Sequence, residues 1–338
     1  MPAVNLQCRL AARPVGVPAA SCWEFVEAPG PELDDGQFRV QLEYLSLDPA
    51  MRGWMNDARS YAPPVAIGEV MRAGGIGRVV ESRNPDFSVG DAVFGQFGVQ
   101  RYAVSDGRGV LAVDTSVAPA QVHLSALGMT GLTAYFGLLD IGKPQPGDTV
   151  VVSGAAGAVG SVAGQIARIK GCRTVGIAGG PDKCAWLVEE LGFDAAIDYK
   201  QGDLRAELRR HTPDGVNVYF DNVGGETLDE VLRRLARGAR VVICGSISQY
   251  NAQEPPRGPA NYMQLLVQRA SMTGFLVFDY ADRYPEAVAE LAKWLSEGQL
   301  ISREHVVHGG LDQFPEVFLR LFRGENTGKL ILHVGGTS

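Results

Sequence analysis

The stretch Ser153-Gly-Ala-Ala-Gly-Ala-Val-Gly160 constrains this chain more than any other feature. It follows a β-branched run at 149–153 and opens a helical pattern at 158–170 that Gly171 ends. Glycines at such a junction have two readings. Gly154, Gly157 and Gly160 let a turn and a helix pack closely. Alternatively, Gly157 and Gly160, with the small Ala155 and Ala156, let backbone amides approach a pyrophosphate. The helix N-terminus then supplies N–H groups and partial positive charge at Ala158 and Val159.

Context gives the second reading its weight. Strand-like segments follow at 174–178, 195–199, 216–222 and 239–244. Helical segments lie between them at 182–191, 204–211 and 226–236. Strands alternating with helices of about ten residues imply a parallel sheet covered on both faces. Further on, the pattern predicts a helix at 262–269, a strand at 272–278 and a helix at 285–297. A helix at 314–323 and a final strand at 330–334 close the chain.

The first 120 residues differ. Short apolar runs such as 38–47 and 76–80 sit between Gly, Pro and Asp clusters, which reads as a compact β-barrel-like domain. The pattern turns helical from 117 to 141, then Pro144, Pro146 and Gly147 break it. The final strand is expected to return to the N-terminal β domain. With 338 residues, about two domains are expected.

Which nucleotide the turn would take depends on the tip of the second strand. NAD-type sites place Asp or Glu there to hold the ribose 2′-hydroxyl. Here the count lands on Ile177-Ala-Gly-Gly180, with no acid. Lys183 follows, and Tyr199 stands at the end of the third strand. A cation would attract a 2′-phosphate, so the pattern favours NADPH. Lys183 also reads simply as an exposed helix residue. Asp182 is explained as a helix N-cap, yet it also lies within reach of a ribose.

Other classes fit poorly. A formal charge of −7 disfavours nucleic acid and anionic lipid. The arginines at 205, 209 and 210 and at 233, 234, 237 and 240 sit on predicted helices among acids, as solvated faces do. No run is long and apolar enough for a membrane helix, and the N-terminus lacks a leader pattern. Five cysteines without a CxxC or Cys–His cluster suggest reduced thiols in a cytoplasmic protein. Neither Ser153 nor Ser161 forms a GxSxG elbow.

The chain resembles the zinc-independent medium-chain dehydrogenase/reductases, in the group of prostaglandin, alkenal double-bond and curcumin reductases. The resemblance spans nearly the whole chain. It rests on Leu45-Ser-Leu-Asp-Pro-Ala-Met-Arg-Gly-Trp54, Gly128-Met-Thr-Gly-Leu-Thr-Ala-Tyr135 and Ala155-Ala-Gly-Ala-Val-Gly160. Asp221-Asn-Val-Gly-Gly225, Cys244-Gly-Ser-Ile-Ser-Gln-Tyr-Asn251 and Gly324-Glu-Asn-Thr-Gly-Lys329 complete it. The segment 60–72 looks nearest to the bacterial curcumin reductase branch.

The resemblance implies an α/β chain: a Rossmann doubly wound parallel sheet (123–304) inserted in a GroES-like β-barrel catalytic domain (1–122, completed by 305–338). It implies NADPH, a small-molecule substrate and a homodimer. Lys183 and Tyr199 match positions that meet the 2′-phosphate. Met129, Thr133, Asn222, Ser246 and Asn326 match positions lining the cofactor. Ala156, Gly157, Ala158, Val159, Gly160, Gly179, Cys244, Gly245, Tyr250 and Phe275 join that set.

A zinc enzyme of this superfamily needs a Cys near 46–51 and a GHE motif. The first is missing, and Gly68-Glu69 follows Ile67 with no His. No metal is expected. Without one, an ordinary alcohol is a poor substrate, whereas a C=C bond beside a carbonyl needs only a donor to the developing oxyanion. A tyrosine hydroxyl suits that role. Tyr250, after the fifth strand, and Tyr61, in the loop 57–64, are the candidates, with Tyr262 a third. The expected activity is reduction of α,β-unsaturated aldehydes or ketones. A quinone reductase and a non-catalytic NADPH-binding sensor are the alternatives.

Overall fold

The computed structural model describes residues 4–335. The first three residues of the N-terminal stretch, read above as lacking a leader, lie outside the described residues. The chain forms two compact units, one of residues up to 124 with those from 304 onward, the other of 125–303.

The first unit begins with an antiparallel pair, β1 (Val4–Leu10) and β2 (Trp23–Pro29). Then come β3 (Phe38–Ser46), the short helix α1 (Ala50–Trp54), β4 (Gly75–Ser82), β5 (Ala92–Gly95), β6 (Tyr102–Ser105) and β7 (Leu111–Ala112).

The second unit holds α2 (Met129–Phe136), β8 (Thr149–Ser153), α3 (Ala158–Ile169), β9 (Arg173–Ala178), α4 (Pro181–Glu189) and β10 (Ala195–Asp198). It continues with α5 (Leu204–His211), β11 (Val216–Asp221), α6 (Gly225–Leu232) and β12 (Leu235–Ile243). The helix α7 (Met263–Gln268), β13 (Ser271–Gly274) and α8 (Tyr284–Ser296) complete it. The chain then returns to the first unit through β14 (Glu304–His308), α9 (Phe314–Arg323) and β15 (Lys329–His333).

The second unit's sheet has six parallel strands in the order β10-β9-β8-β11-β12-β13. All of β8 is buried, as in a sheet covered on both faces. In the first unit, β14-β15-β3-β4-β5-β7 form a sheet that is antiparallel except for β14–β15, and β6 also pairs with β3. Its core gathers Phe38, Leu42, Leu45 and Met51 with Phe314 and Phe318 of the returning helix. Trp23 meets Phe314 edge to face at 5.2 Å. Lys329 is buried and pairs with Asp48, while its ammonium donates to the Leu47 carbonyl at 3.0 Å. The two ends of the chain are thus locked into one core.

Several sequence expectations need correction. The helix predicted at 226–236 ends at Leu232, and β12 starts at Leu235 and runs through Gly238. Leu235 pairs with Val216, and a register shift follows on β11, so sheet pairing overrides local helix preference. The strand predicted at 272–278 stops at Gly274, and a 3₁₀ turn spans Val277–Arg283. The helical stretch predicted from 117 to 141 is broken. A 3₁₀ turn ends at Leu124, α2 starts at Met129, and a π turn follows at Gly137–Gly142. Thr130 Oγ1 donates to the Ser125 carbonyl at 2.9 Å and fixes that break.

Candidate functional site

The three glycines after β8 do different work. Gly154 has φ +57, a left-handed conformation that favours glycine. A Cβ on Gly160 would collide with the Gly154 carbonyl, so this residue permits close packing of α3 on the turn. A Cβ on Gly157 would meet only the Gly154 oxygen, at 3.1 Å. Gly157 is the N-cap of α3 and gives it no side-chain cap. The amides of Ala158, Val159 and Gly160 have no intrahelical acceptor by helix geometry. The glycines therefore differ: close packing requires glycine at 160, whereas the side of Gly157 is open.

The neighbouring turn after β11 is fastened to this one. Asp221 is buried, and its Oδ1 accepts from Ser153 Oγ at 2.8 Å and Tyr219 Oη at 2.7 Å. It also accepts from the amides of Val223 and Gly224, each at 3.0 Å. Its Oδ2 is buried with no hydrogen-bond partner among the described residues. Burial first and the Asp221 charge second raise the Tyr219 hydroxyl well above its ordinary value, so it remains a donor. The same two causes push the Cys244 thiol to about 12, which keeps it a neutral thiol.

Asn222 lies over the turn. Its N–H donates to Ser153 Oγ at 2.9 Å, and its Nδ2 donates to the Ser153 carbonyl at 2.7 Å. Its carbonyl receives Ile247 N–H at 3.1 Å, tying in the loop after β12. There, Ser246 N–H donates to Tyr250 Oη at 3.3 Å, and a Cβ on Gly245 would lie 3.0 Å from the same oxygen. The carboxyl ends of β8, β11 and β12 thus bring together Gly154–Gly160, Asn222, Cys244, Gly245, Ser246 and Tyr250. Where strand order reverses, between β8 and β11, is where open α/β sheets bind ligands.

A second cluster forms after β9. Gly179, Tyr199 and Lys183 belong to it, and Tyr199 is half exposed. Burial first and the charge of Lys200 second hold the Lys183 ammonium below its ordinary range. The expected Asp182 cap is not found. Gly180 is the N-cap and Pro181 the first helical residue, so Asp182 falls inside the first turn. Proline's fixed φ starts the helix early. Asp182 is exposed and complements the helix dipole instead.

On α2, Thr133 Oγ1 donates to the Met129 carbonyl at 2.7 Å, and Tyr284 Oη contacts Met129 Sδ at 3.8 Å. The Phe275 ring packs against Gly137, beside Phe220. Tyr61 and Asn326 belong to the first unit. Tyr61 is half exposed, and Asn326 Nδ2 donates to the Gly328 carbonyl at 2.9 Å. Arg52 is buried. It donates to the Gly16 carbonyl at 2.9 Å and to Asn56 Oδ1 at 2.6 Å, which is a structural role. Two residues carry no expectation from the sequence: Asp221 as the anchor of the turn, and Lys200, which lies against Gly179.

The described residues contain no group of three or more His, Cys, Asp or Glu placed to hold a metal ion. No described helix is long and apolar enough to cross a membrane.

A parallel sheet in this strand order, with a phosphate-type turn on its first strand, defines a Rossmann dinucleotide-binding unit. Residues 6–113 match a family model described as the N-terminal domain of oxidoreductase, and 158–294 one described as zinc-binding dehydrogenase. The chain is 42% identical to the NADPH-dependent curcumin reductase of Escherichia coli, covering 98% of this chain and 97% of that one. It is 39% identical to the NADP(+)-dependent 2-alkenal reductase of Nicotiana tabacum, covering 87% and 86%. The crystal structure of CurA from Vibrio vulnificus in complex with NADPH superposes with a TM-score of 0.93 at 44% identity, covering 98% and 100%. The chain belongs to the zinc-independent medium-chain dehydrogenase/reductases, in the group of prostaglandin, alkenal and curcumin reductases.

Proposed function

We propose that this protein reduces the C=C bond of α,β-unsaturated aldehydes and ketones with NADPH. The observation that carries the reading is the joined turn at β8, β11 and β12. It offers an uncapped helix N-terminus for a pyrophosphate and a tyrosine hydroxyl in the same cluster of loops. Its relatives include an NADPH-dependent curcumin reductase and a 2-alkenal reductase.

The residues fit the cofactor. The open side of Gly157 leaves room for phosphate, and the tip of β9 carries glycine where an NADH site would carry an acid, with Lys183 following in the first turn of α4. Bound NADPH would supply hydride to the β-carbon of the substrate. The chain's task is then the charge that collects on the carbonyl oxygen. Tyr250 accepts a hydrogen bond from Ser246 N–H, and a hydroxyl that accepts becomes a better donor. It donates a hydrogen bond to the enolate oxygen. Tyr61 is the second candidate donor. Asn222 and the Asp221 anchor hold the turn, and Met129, Thr133 and Phe275 would line the bound cofactor.

A homodimer is part of this reading. Strand β13 is the sheet's edge, all four of its residues are exposed, and Met263, Leu266 and Val267 are exposed on α7. An unpaired edge beside apolar side chains favours pairing with a second copy. Five free thiols support a reducing, cytoplasmic setting.

The test is NADPH oxidation with a medium-chain 2-alkenal, an enone, a quinone and a saturated aldehyde, each repeated with NADH. Turnover of the alkenal or enone to the saturated-bond product is expected, with NADPH preferred. Turnover of the quinone alone would replace the proposal with quinone reduction, and tight NADPH binding without turnover would replace it with a sensor. Tyr250→Phe is expected to lower turnover about 100-fold, the low end for loss of an oxyanion donor, with NADPH affinity nearly intact. An unchanged rate would remove Tyr250 as the donor.

A further inference from the structure

Strands β9 and β10 run parallel with Ala178 opposite Asp198, and Tyr199 N–H donates to the Ala178 carbonyl at 3.1 Å. This register lays the two residues after β10 over the glycine after β9. A Cβ on Gly179 would lie 2.9 Å from Lys200 Cε and 3.0 Å from Tyr199 Oη. The two loops are tied by one carboxylate. Asp198 Oδ1 accepts from Gly180 N–H at 2.8 Å and from Lys200 N–H at 3.0 Å.

Lys183 stands in the first turn of α4, which follows directly on Gly179 and Gly180. It is close enough to Lys200 for the second charge to oppose its own protonation. Two ammonium groups that feel each other's charge gain from an anion that binds both. A lysine that served only solubility would gain by pointing away, yet the Asp198 tie holds this loop against Gly179. A phosphate monoester, with two negative charges and several acceptor oxygens, matches a pair of cations flanked by a tyrosine hydroxyl.

We propose that Lys200 is a second cationic ligand for the 2′-phosphate of NADPH and shares with Lys183 the discrimination against NADH. The proposal rests on the reading that Lys183 and Tyr199 receive that phosphate. It assigns the selectivity to a pair of charges drawn from two successive loops, one after each strand.

The experiment measures dissociation constants of NADPH, NADH and adenosine 2′-phosphate for the full-length wild type, Lys200→Met, Lys200→Arg and Lys183→Met. Lys200→Met is expected to weaken NADPH and adenosine 2′-phosphate about tenfold, the size of one charge-assisted contact. NADH binding should change less than about twofold. Lys200→Arg should restore most of the loss, which also separates charge from folding. An unchanged NADPH-to-NADH ratio in Lys200→Met overturns the proposal. If Lys183→Met alone lowers the ratio, only Lys200 is removed from the site. If neither variant changes it, the placement of the 2′-phosphate fails as well.

Discussion

The turn after β8 and the turn after β9 both begin at the carboxyl end of a parallel strand, yet they are made of different material. The first is backbone, held by a buried carboxylate and by Gly160, which is too crowded to accept a Cβ. The second is side chain: Lys183, Tyr199 and Lys200, half-buried or exposed. Pyrophosphate is common to every dinucleotide, so a rigid backbone cradle can serve it unchanged. The 2′-phosphate distinguishes one cofactor from another, and residues that discriminate are more easily exchanged on surface loops. The difference implies that damage at the first turn costs folding and all nucleotide binding, whereas damage at the second costs selectivity alone.

The sharpest break would come at Asp221. Asp221→Ala strands the donors of Ser153, Tyr219, Val223 and Gly224. A loss of about 4 kcal/mol in stability is expected, since each stranded buried group costs ~1–3 kcal/mol. Chemical denaturation measures it, and a loss below ~1 kcal/mol would mean the anchor is dispensable. Next is Gly160→Ala, whose Cβ meets the Gly154 carbonyl. About 2–3 kcal/mol should be lost to overpacking, and calorimetric titration should show NADPH and NADH weakened alike. Selective loss of NADPH would erase the contrast between the turns.

Lys183→Ala should weaken NADPH about tenfold, or ~1.4 kcal/mol, and leave stability and NADH binding nearly unchanged. Equal loss of both cofactors would remove Lys183 from the phosphate site. The smallest effect concerns pH. Lys183 is held below its ordinary range by burial and then by Lys200, so its charge is lost earlier than usual as pH rises. NADPH affinity should therefore fall at alkaline pH before NADH affinity does. Identical pH profiles for the two cofactors would contradict this.

The same contrast explains what could be read without coordinates. The glycine turn was legible because glycine spacing, a preceding β-branched strand and a following helix are all local. The boundaries of α5 and α9 were legible too. Asp203 caps α5 by accepting from Arg205 N–H, and Gly324 ends α9 in a left-handed conformation. The end of α6 was not, because Leu235 joins β12 through a partner on β11 nearly twenty residues earlier. Lys200 carries no local signal: a lysine in a loop looks solvated until the β9–β10 register sets it over Gly179. Asp221 stood inside a quoted motif, but the donor that makes it an anchor between two turns, Ser153, lies 68 positions earlier.

The salt-bridged lock between Asp48 and Lys329 has a consequence for synthesis. Lys329 also reaches Leu47, and the two are 282 positions apart. A ribosome adding about 5–20 residues per second needs on the order of tens of seconds to cover that distance. Throughout that interval the end of β3 that later pairs with β15 through Ser46, Leu45 and Tyr44 has no β15 to pair with. The whole Rossmann unit emerges first and is free to fold as a unit. The first unit therefore starts earliest and finishes last, and its exposed strand end is where a nascent-chain chaperone would be most needed.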